Sequence, residues 1–143
     1  MDWLLVPLTS LGPLHFGMTV GQVATILGAP SRRRKLPSGQ FRESRGVDAP
    51  IITYGDGGVV EIEIYPEAGN VIYNGQNLFS ADPAVLRSSL IAQDGAVYEG
   101  AGVLVFMILG LSTTLFHQTD TPSITAFAKG TWDHALQRLR PVQ

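Results

Sequence analysis

The sequence predicts an α+β fold, with a mainly antiparallel, curved sheet and helices packed on one of its faces. Three observations point to it: two helices with start and stop signals, β-rich segments paired around glycine-rich turns, and an element order that occurs twice. A chain of 143 residues is expected to form a single domain, 1–143. Tandem helix-plus-hairpin halves are expected at about 11–70 and 74–129, followed by a short C-terminal helix at 132–139.

The first helix is predicted by a capping box and two stop signals. Thr19 is placed to cap the first turn through its hydroxyl, and Gln22, three residues later, is placed to reach back to it. Gly28 supplies a residue that tolerates the left-handed conformation, and Pro30 prevents continuation. The helix is therefore expected to run from just after Thr19 to just before Gly28.

The segment that follows, 31–49, is polar, basic and without apolar periodicity, so a long mobile loop is expected. Six of the ten basic residues of the chain lie between 31 and 45, against one glutamate. The cationic run at 32–35 is interpreted first as a solvated loop, then as a protein contact. Nucleic-acid binding comes last, because Phe41 alone is interleaved with the cations.

A β-hairpin is predicted next, with strands at 51–54 and 59–65 around the glycine-rich turn at 55–58. Alternation along the second strand divides it into a core face and a face for solvent or a partner. The core face takes Val60, Ile62 and Ile64, and the opposite face takes Val59, Glu61, Glu63 and Tyr65.

The second half begins with a short strand at 71–73 and a tight turn at Asn74-Gly75. A second helix is expected from Asp82 at the cap and Pro83 at the first helical position, with Gly95 just beyond its end. The apolar stripe expected to face the core consists of Val85, Leu86, Leu90 and Ile91.

Three further strands are expected at 103–109, 111–117 and 124–129, with a turn at 118–122. The first of them is apolar on both faces, which is typical of a central strand covered on both sides. Thr131 is expected to cap the C-terminal helix.

The residues show no pattern that indicates an enzyme, a metal site or a cofactor. The chain has no cysteine, and His15, His117 and His134 have no metal-ligand spacing. No serine lies in a nucleophile motif, and the glycines at 55–58 precede a strand where a phosphate loop would precede a helix. We therefore expect a binding protein with no catalytic residue and no cofactor.

The candidate binding residues form an acidic and aromatic strip along the predicted hairpin. Glu61, Glu63 and Tyr65 project from one face of a strand at about 7 Å intervals, and Asp56 extends the strip into the turn. Such a strip is suited to a basic cleft, where carboxylates take the place of phosphates. An ordinary solvated strand face is the alternative.

The residues at 14–30 resemble a motif of small bacterial binding proteins. The pattern is Leu14-His15-Phe16-Gly17-Met18-Thr19, then Val23, Leu27-Gly28 and Pro30. It is similar to the repeat of SmpA/OmlA-like outer-membrane assembly lipoproteins and of the β-lactamase inhibitory proteins. Small cytoplasmic proteins that resemble toxin-immunity proteins share it.

The resemblance implies protein binding through the sheet. The absence of cysteine argues against a lipid-attachment site of the lipoprotein kind and rules out the disulfides of the secreted inhibitors. We therefore expect a cytoplasmic immunity protein that occludes the active site of a cognate bacterial toxin with a basic cleft. Such a protein is expected to bind no membrane, and nucleic acid is disfavoured as a partner. The alternatives are an SmpA/OmlA-like assembly or scaffold module and a small-ligand sensor.

Overall fold

The computed structural model describes residues 1–117 and 119–142 and has a mixed α+β architecture. The strands, numbered in chain order, are β1 (Asp2–Val6), β2 (Ser10–Leu11), β3 (Leu14–His15), β4 (Arg32–Lys35), β5 (Phe41–Ser44), β6 (Ile51–Gly55), β7 (Gly58–Ile64), β8 (Asn70–Tyr73), β9 (Gln76–Asn77), β10 (Val97–Gly100), β11 (Val103–Phe106), β12 (Leu111–Thr113), β13 (Ile124–Phe127) and β14 (Arg140–Pro141). The helices are α1 (Val20–Leu27), α2 (Pro83–Asp94) and two 3₁₀ helices, Pro66–Ala68 and Asp133–Arg138. No helix in the described ranges is both long and apolar enough to cross a bilayer.

Nine of the strands form one sheet with the order β14-β10-β11-β12-β13-β7-β6-β5-β4. All neighbours in it are antiparallel, which confirms the prediction of a mainly antiparallel sheet. Each α-helix is followed by a meander of four strands, β4 to β7 after α1 and β10 to β13 after α2. A smaller sheet has the order β3-β2-β1-β8-β9, in which β1 and β8 are parallel.

The caps of α1 are those that the sequence predicts. The Gln22 backbone N–H donates to the Thr19 hydroxyl at 3.2 Å, and the Thr19 N–H donates to Oε1 of Gln22 at 2.9 Å. Gly28 ends the helix with φ +85°, a conformation that favours glycine. Val23 is fully buried and attaches the helix to the core.

The caps of α2 are confirmed as well, but one residue of its apolar stripe was placed wrongly. The backbone N–H groups of Ala84 and Val85 donate to Oδ1 of Asp82 at 3.0 and 3.2 Å. Leu86 and Leu90 are buried one turn apart, whereas Val85 is 65% exposed. Val85 precedes Leu86 by one residue, so its side chain points about 100° away around the helix.

The loop predicted at 31–49 is wrong, because β4 and β5 form an antiparallel hairpin there. The ring of Phe41 stacks on the ring of Tyr54 at 4.8 Å between centroids, and Glu43 is buried on the same face of the sheet. Arg42 and Ser44 alternate with them on the other face. The hairpin is thus stabilised by contacts with β6 and by a charged core, neither of which an apolar period reveals.

The hairpin of β6 and β7 is confirmed, but one part of the predicted facing is wrong. The register shifts between Thr53 and Tyr54, so that Tyr54 pairs with Val59 and Val60 is an extra residue. Val59 is therefore buried on the core face, whereas Val60 is only partly buried. A β-bulge of this kind interrupts the period of two that the prediction assumed.

The strand predicted at 103–109 ends at Phe106. The backbone N–H groups of Ile108 and Leu109 donate to Oδ2 of the buried Asp94 at 3.0 and 2.8 Å and turn the chain away. The residues from Leu104 to Phe106 are covered on both faces, as expected, but β11 is the third strand from one edge and is not central. The strands predicted at 111–117 and 124–129 are also shorter, as β12 and β13.

The C-terminal helix is a short 3₁₀ helix, and its predicted cap is wrong. The Thr131 hydroxyl donates to the carbonyl of Ala128 at 2.6 Å, and the helix has no side-chain cap. Ala135 is its buried residue. The turn predicted at 118–122 includes Gln118, which lies outside the described residues.

The core lies on one face of the large sheet. The register places Ile52, Ile62 and Ala126 side by side across three strands, and all three are fully buried. Val23 of α1 and Leu86 of α2 belong to the same apolar cluster. Both helices therefore pack against this face, which leaves the opposite face for other contacts.

Candidate functional site

The face of the large sheet opposite the helices is polar. Residues directly opposite each other on neighbouring strands project from the same face, so the register defines this surface. One row runs through Arg34, Arg42, Thr53 and Glu61, and a second contains Glu63, Thr125 and Ser112. We call this surface the polar face; its members are Arg32, Arg34, Arg42, Ser44, Thr53, Glu61, Glu63, Ser112 and Thr125.

The C-terminal segment covers one end of the polar face. The ring of Trp132 packs on that of Phe127, which pairs with Glu61, at 6.4 Å between centroids. Three apolar residues are buried there: Val105, Phe127 and Ala135. They do not belong to the apolar cluster that contains Val23 and Leu86 of the two helices. The segment thus forms a wall beside the uncovered part of the sheet.

A groove follows this wall. One cavity of about 330 Å³ lies between Arg42, Glu61, Trp132 and His134. A second, of about 210 Å³, shares Arg42, Glu61 and Trp132 and extends past Glu63. We call the two together the central groove; it is lined by Leu36, Ser38, Gln40, Arg42, Thr53, Glu61, Glu63, Ser112, Thr125, Thr131, Trp132, His134 and Ala135.

Glu61 is the most strongly perturbed carboxylate of the central groove. Burial raises its pKa, and the negative charge of Glu63 raises it further; the nearby Arg42 and His134 lower it only in part. Its charged form is therefore disfavoured in the free protein. A positive charge beside Glu61 would stabilise its ionised form.

Glu63 lies two residues further along β7 and is anchored by the residue that precedes β13. Its Oε2 accepts a hydrogen bond of 2.9 Å from the hydroxyl of Ser123. The charge of Glu63 raises the pKa of Tyr65, and burial adds to that shift. Glu61, Glu63 and Tyr65 are therefore neighbours, as the alternation along the strand predicts.

Asp56 lies at the other end of β7. It is exposed in the turn between β6 and β7 and borders a cavity of about 380 Å³ together with Gln40 and His134. His134 also lines the central groove, so the two cavities adjoin. The structure thus brings Glu61 and Glu63 together in the groove, whereas Asp56 borders the adjoining cavity and Tyr65 follows the end of β7.

Most residues of the groove, among them Arg42, Trp132 and His134, were not selected from the sequence. Arg42 lies across Thr53 from Glu61, and its Nε donates to the Thr53 hydroxyl at 3.3 Å. The acidic strip on β7 is therefore flanked by a cation on β5. Trp132 and His134 reach the groove from the C-terminal segment, and no local pattern connects them to β7.

The indole of Trp132 carries an unused donor. Its Nε1 is buried and has no hydrogen-bond partner among the described residues. A buried donor without an acceptor is costly, so it favours a ligand atom or a water at this position.

The other histidines lie apart from the groove lining. His15 is exposed on β3, and His117 is half-buried after β12. Within 1–117 and 119–142, no three side chains of the metal-ligating types come together.

Comparison of the chain with protein-family models, with curated proteins and with solved structures finds no match.

Proposed function

We propose that this chain is a non-enzymatic immunity protein that binds a cognate bacterial toxin and occludes its active site. The observation that carries the proposal is the position of Glu61 and Glu63, side by side in a groove on the face of the sheet that the helices leave uncovered. The resemblance of the segment 14–30 to small bacterial binding proteins supports the choice of partner.

The electrostatics of the groove indicate what the partner presents. Glu61 is partly desolvated before any partner binds, which is reflected in its raised pKa. A lysine or arginine from the basic cleft of a toxin would pair with Glu61 and Glu63 and reverse that effect. Opposite charges of this kind also accelerate encounter and select the partner.

The tandem architecture belongs to the same proposal. A helix followed by a four-stranded meander occurs twice, which supports two related units over 11–70 and 74–129. In this proposal the two units form one curved sheet, and the central groove on its polar face is the surface that contacts the toxin.

Charge reversal tests the proposed interface. The Glu61→Lys/Glu63→Lys variant changes the groove, and the Asp2→Lys/Asp48→Lys variant makes the same charge change at exposed positions outside it. Each protein, and the unchanged chain, is used as bait in a lysate of the source bacterium. Bound proteins are identified by mass spectrometry. The toxin activity of each is then assayed alone and in the presence of the bait.

We expect the unchanged chain and the exposed-site variant to retain the same protein in a 1:1 complex and to abolish its activity. The groove variant should lose that protein while its thermal unfolding stays close to that of the unchanged chain. If the groove variant is unfolded, Glu61→Gln/Glu63→Gln replaces it. Equal retention by both variants would contradict the interface, and a retained envelope or housekeeping protein would support a scaffold module in place of an immunity protein.

A second candidate, a small-ligand sensor, is favoured by the cavity of about 330 Å³ that Trp132 lines and by the unpaired, buried Nε1 donor of that residue. That volume is at the lower end of the range for sites of small molecules. A thermal-shift screen with metabolites tests it. A ligand that stabilises the unchanged chain but not Trp132→Phe would support the sensor, and no stabilising ligand would count against it.

A further inference from the structure

A second cluster on the polar face lies at the β4 edge of the sheet and consists of arginines. Arg34 is directly opposite Arg42, and Arg32 is directly opposite Ser44, so all four side chains project from one face. They line a cavity of about 180 Å³ together with Ile51. We call this cavity the arginine pocket.

The arginine pocket has a large excess of positive charge. None of the residues that line it is acidic. In the part of the chain that the structure describes, the ion pairs of arginines involve Arg33, Arg45 and Arg140. Arg32 and Arg34 thus lack a carboxylate partner.

The third cation of the pocket is partly engaged elsewhere. Arg42 donates to the Thr53 hydroxyl and lies across Thr53 from Glu61. It nevertheless stands directly opposite Arg34, and like charges in that relation destabilise a sheet. An anion between the two guanidinium groups would remove this repulsion.

Arg33, which lies between Arg32 and Arg34 in β4, has a different environment from these two residues. Arg33 projects from the other face, where it pairs with Glu43 and lies 5.3 Å from the centroid of the Phe41 ring. Its role is in the packing of the hairpin. Arg32 and Arg34 have no such role in the fold, which leaves their charges available for a ligand.

We propose that the arginine pocket binds a phosphate group of a small molecule. Guanidinium groups bind phosphate oxygens in a bidentate manner, and a phosphate dianion would offset the charges of Arg32 and Arg34. The Ser44 hydroxyl adds a donor or acceptor at the same place. The volume is below that of a typical site for a whole organic ligand, so it suits the charged group alone.

The phosphate site goes beyond the proposed toxin binding and does not depend on it, because the two use different residues except Arg42. A partner that occupied the central groove would leave Arg32 and Arg34 exposed at the edge of the sheet. Failure of one proposal therefore leaves the other intact.

Calorimetric titration with inorganic phosphate at constant ionic strength tests this site. Arg34→Gln removes a charge from the pocket, and Lys35→Gln removes one from the next residue of the same exposed strand, which projects from the other face. Arg32→Gln serves as the second variant if Arg34→Gln does not fold. A single-stranded oligonucleotide forms the second arm of the titration.

We expect saturable binding of phosphate that Arg34→Gln weakens by about tenfold. Lys35→Gln should weaken it by less than about twofold. Absence of saturable binding would overturn the proposal, as would an equal loss in both variants, which indicates diffuse attraction. Oligonucleotide binding that depends equally on Arg34 and Lys35, without a phosphate site, would overturn it in favour of a nucleic-acid surface. The Glu61→Lys/Glu63→Lys variant adds positive charge beside Arg42, so it should bind phosphate at least as tightly as the unchanged chain, which separates this test from that of the toxin.

Discussion

The hydroxyl of Tyr54 donates a 2.9 Å hydrogen bond to Oε1 of Glu43, a carboxylate with no exposed surface. Arg33 pairs with the other carboxylate oxygen, and Arg45 approaches Oε1 at 3.3 Å. Nε of Arg45 also donates to the carbonyl of Gly28 at the end of α1, at 2.9 Å. Glu43 therefore links the β4–β5 hairpin, β6 and the end of the first helix through one buried charge.

Replacement of Glu43 by glutamine should destabilise the fold. The substitution keeps the size of the side chain but leaves the charge of the buried Arg45 without its partner. We expect a loss of about 3 kcal/mol in the free energy of unfolding. This is the lower end of the range for breaking a buried ion pair, because one of the two arginine partners, Arg33, is half exposed. Urea unfolding measures it, with Glu67→Gln at an exposed position as the control. Equal stability of the two variants would show that the cluster contributes nothing.

Glu43 should also make stability depend on pH. Burial raises its pKa, but hydrogen bonds from Arg33 and Tyr54 and the charges of the arginines outweigh burial, and the pKa is lowered overall. The unfolded chain thus binds a proton more readily, and the contribution of Glu43, present above its unfolded pKa, is lost as the pH falls through the folded pKa. We expect the free energy of unfolding to fall below about pH 4.5.

The same experiment with Glu43→Gln isolates this contribution. The slope of the free energy of unfolding against pH should be smaller in the variant over the acidic range. Identical slopes would assign the acid sensitivity to other carboxylates. Glu61 acts in the opposite direction, because its raised pKa favours folding when it is protonated.

Gly58 should not tolerate a side chain. Its φ is +105°, and a Cβ atom would lie 2.5 Å from the carbonyl oxygens of Gly17 and Met18. This close approach positions β7 against the N-terminal end of α1, where Gly17 N–H donates to the carbonyl of Val59. We expect Gly58→Ala to cost at least about 2 kcal/mol in thermal or urea unfolding.

Gly57 provides a matched control for Gly58. It is exposed in the same turn, and a Cβ atom there would meet nothing within 4 Å. Gly57→Ala should stay within about 0.5 kcal/mol of the unchanged chain. If both variants were equally stable, the close approach of β7 to α1 would be refuted.

Local signals in the sequence predicted the elements that are stabilised locally. Thr19 and Gln22 lie three residues apart, and Asp82 caps the residues that follow it directly. The β4–β5 hairpin was missed because its contacts are distant in sequence: Glu43 binds Tyr54, and Arg45 binds the end of α1. Polar strands of this kind carry no apolar period from which to predict them.

The candidate site was predictable in part for the same reason. Alternation along one strand was sufficient to place Glu61 and Glu63 on a common face. Arg42, Trp132 and His134 come to the groove from other elements, and only the sheet order and the path of the C-terminal segment bring them there.

If Glu61 serves binding as proposed, its carboxylate lies in the groove at a cost to folding. Because the pKa of Glu61 is raised, its ionised form destabilises the folded state at neutral pH. The neutral Glu61→Gln variant should therefore have a higher free energy of unfolding. Glu63→Gln is the matched control, since it weakens the 2.9 Å hydrogen bond from Ser123 and should bring no gain.

The most direct measurement is the free energy of unfolding of Glu61→Gln in urea at pH 7. We expect it to exceed that of the unchanged chain by about 0.5 kcal/mol, a modest gain because the side chain is only partly buried. A lower free energy of unfolding would show that Glu61 serves the fold, and would contradict its assignment to the binding site.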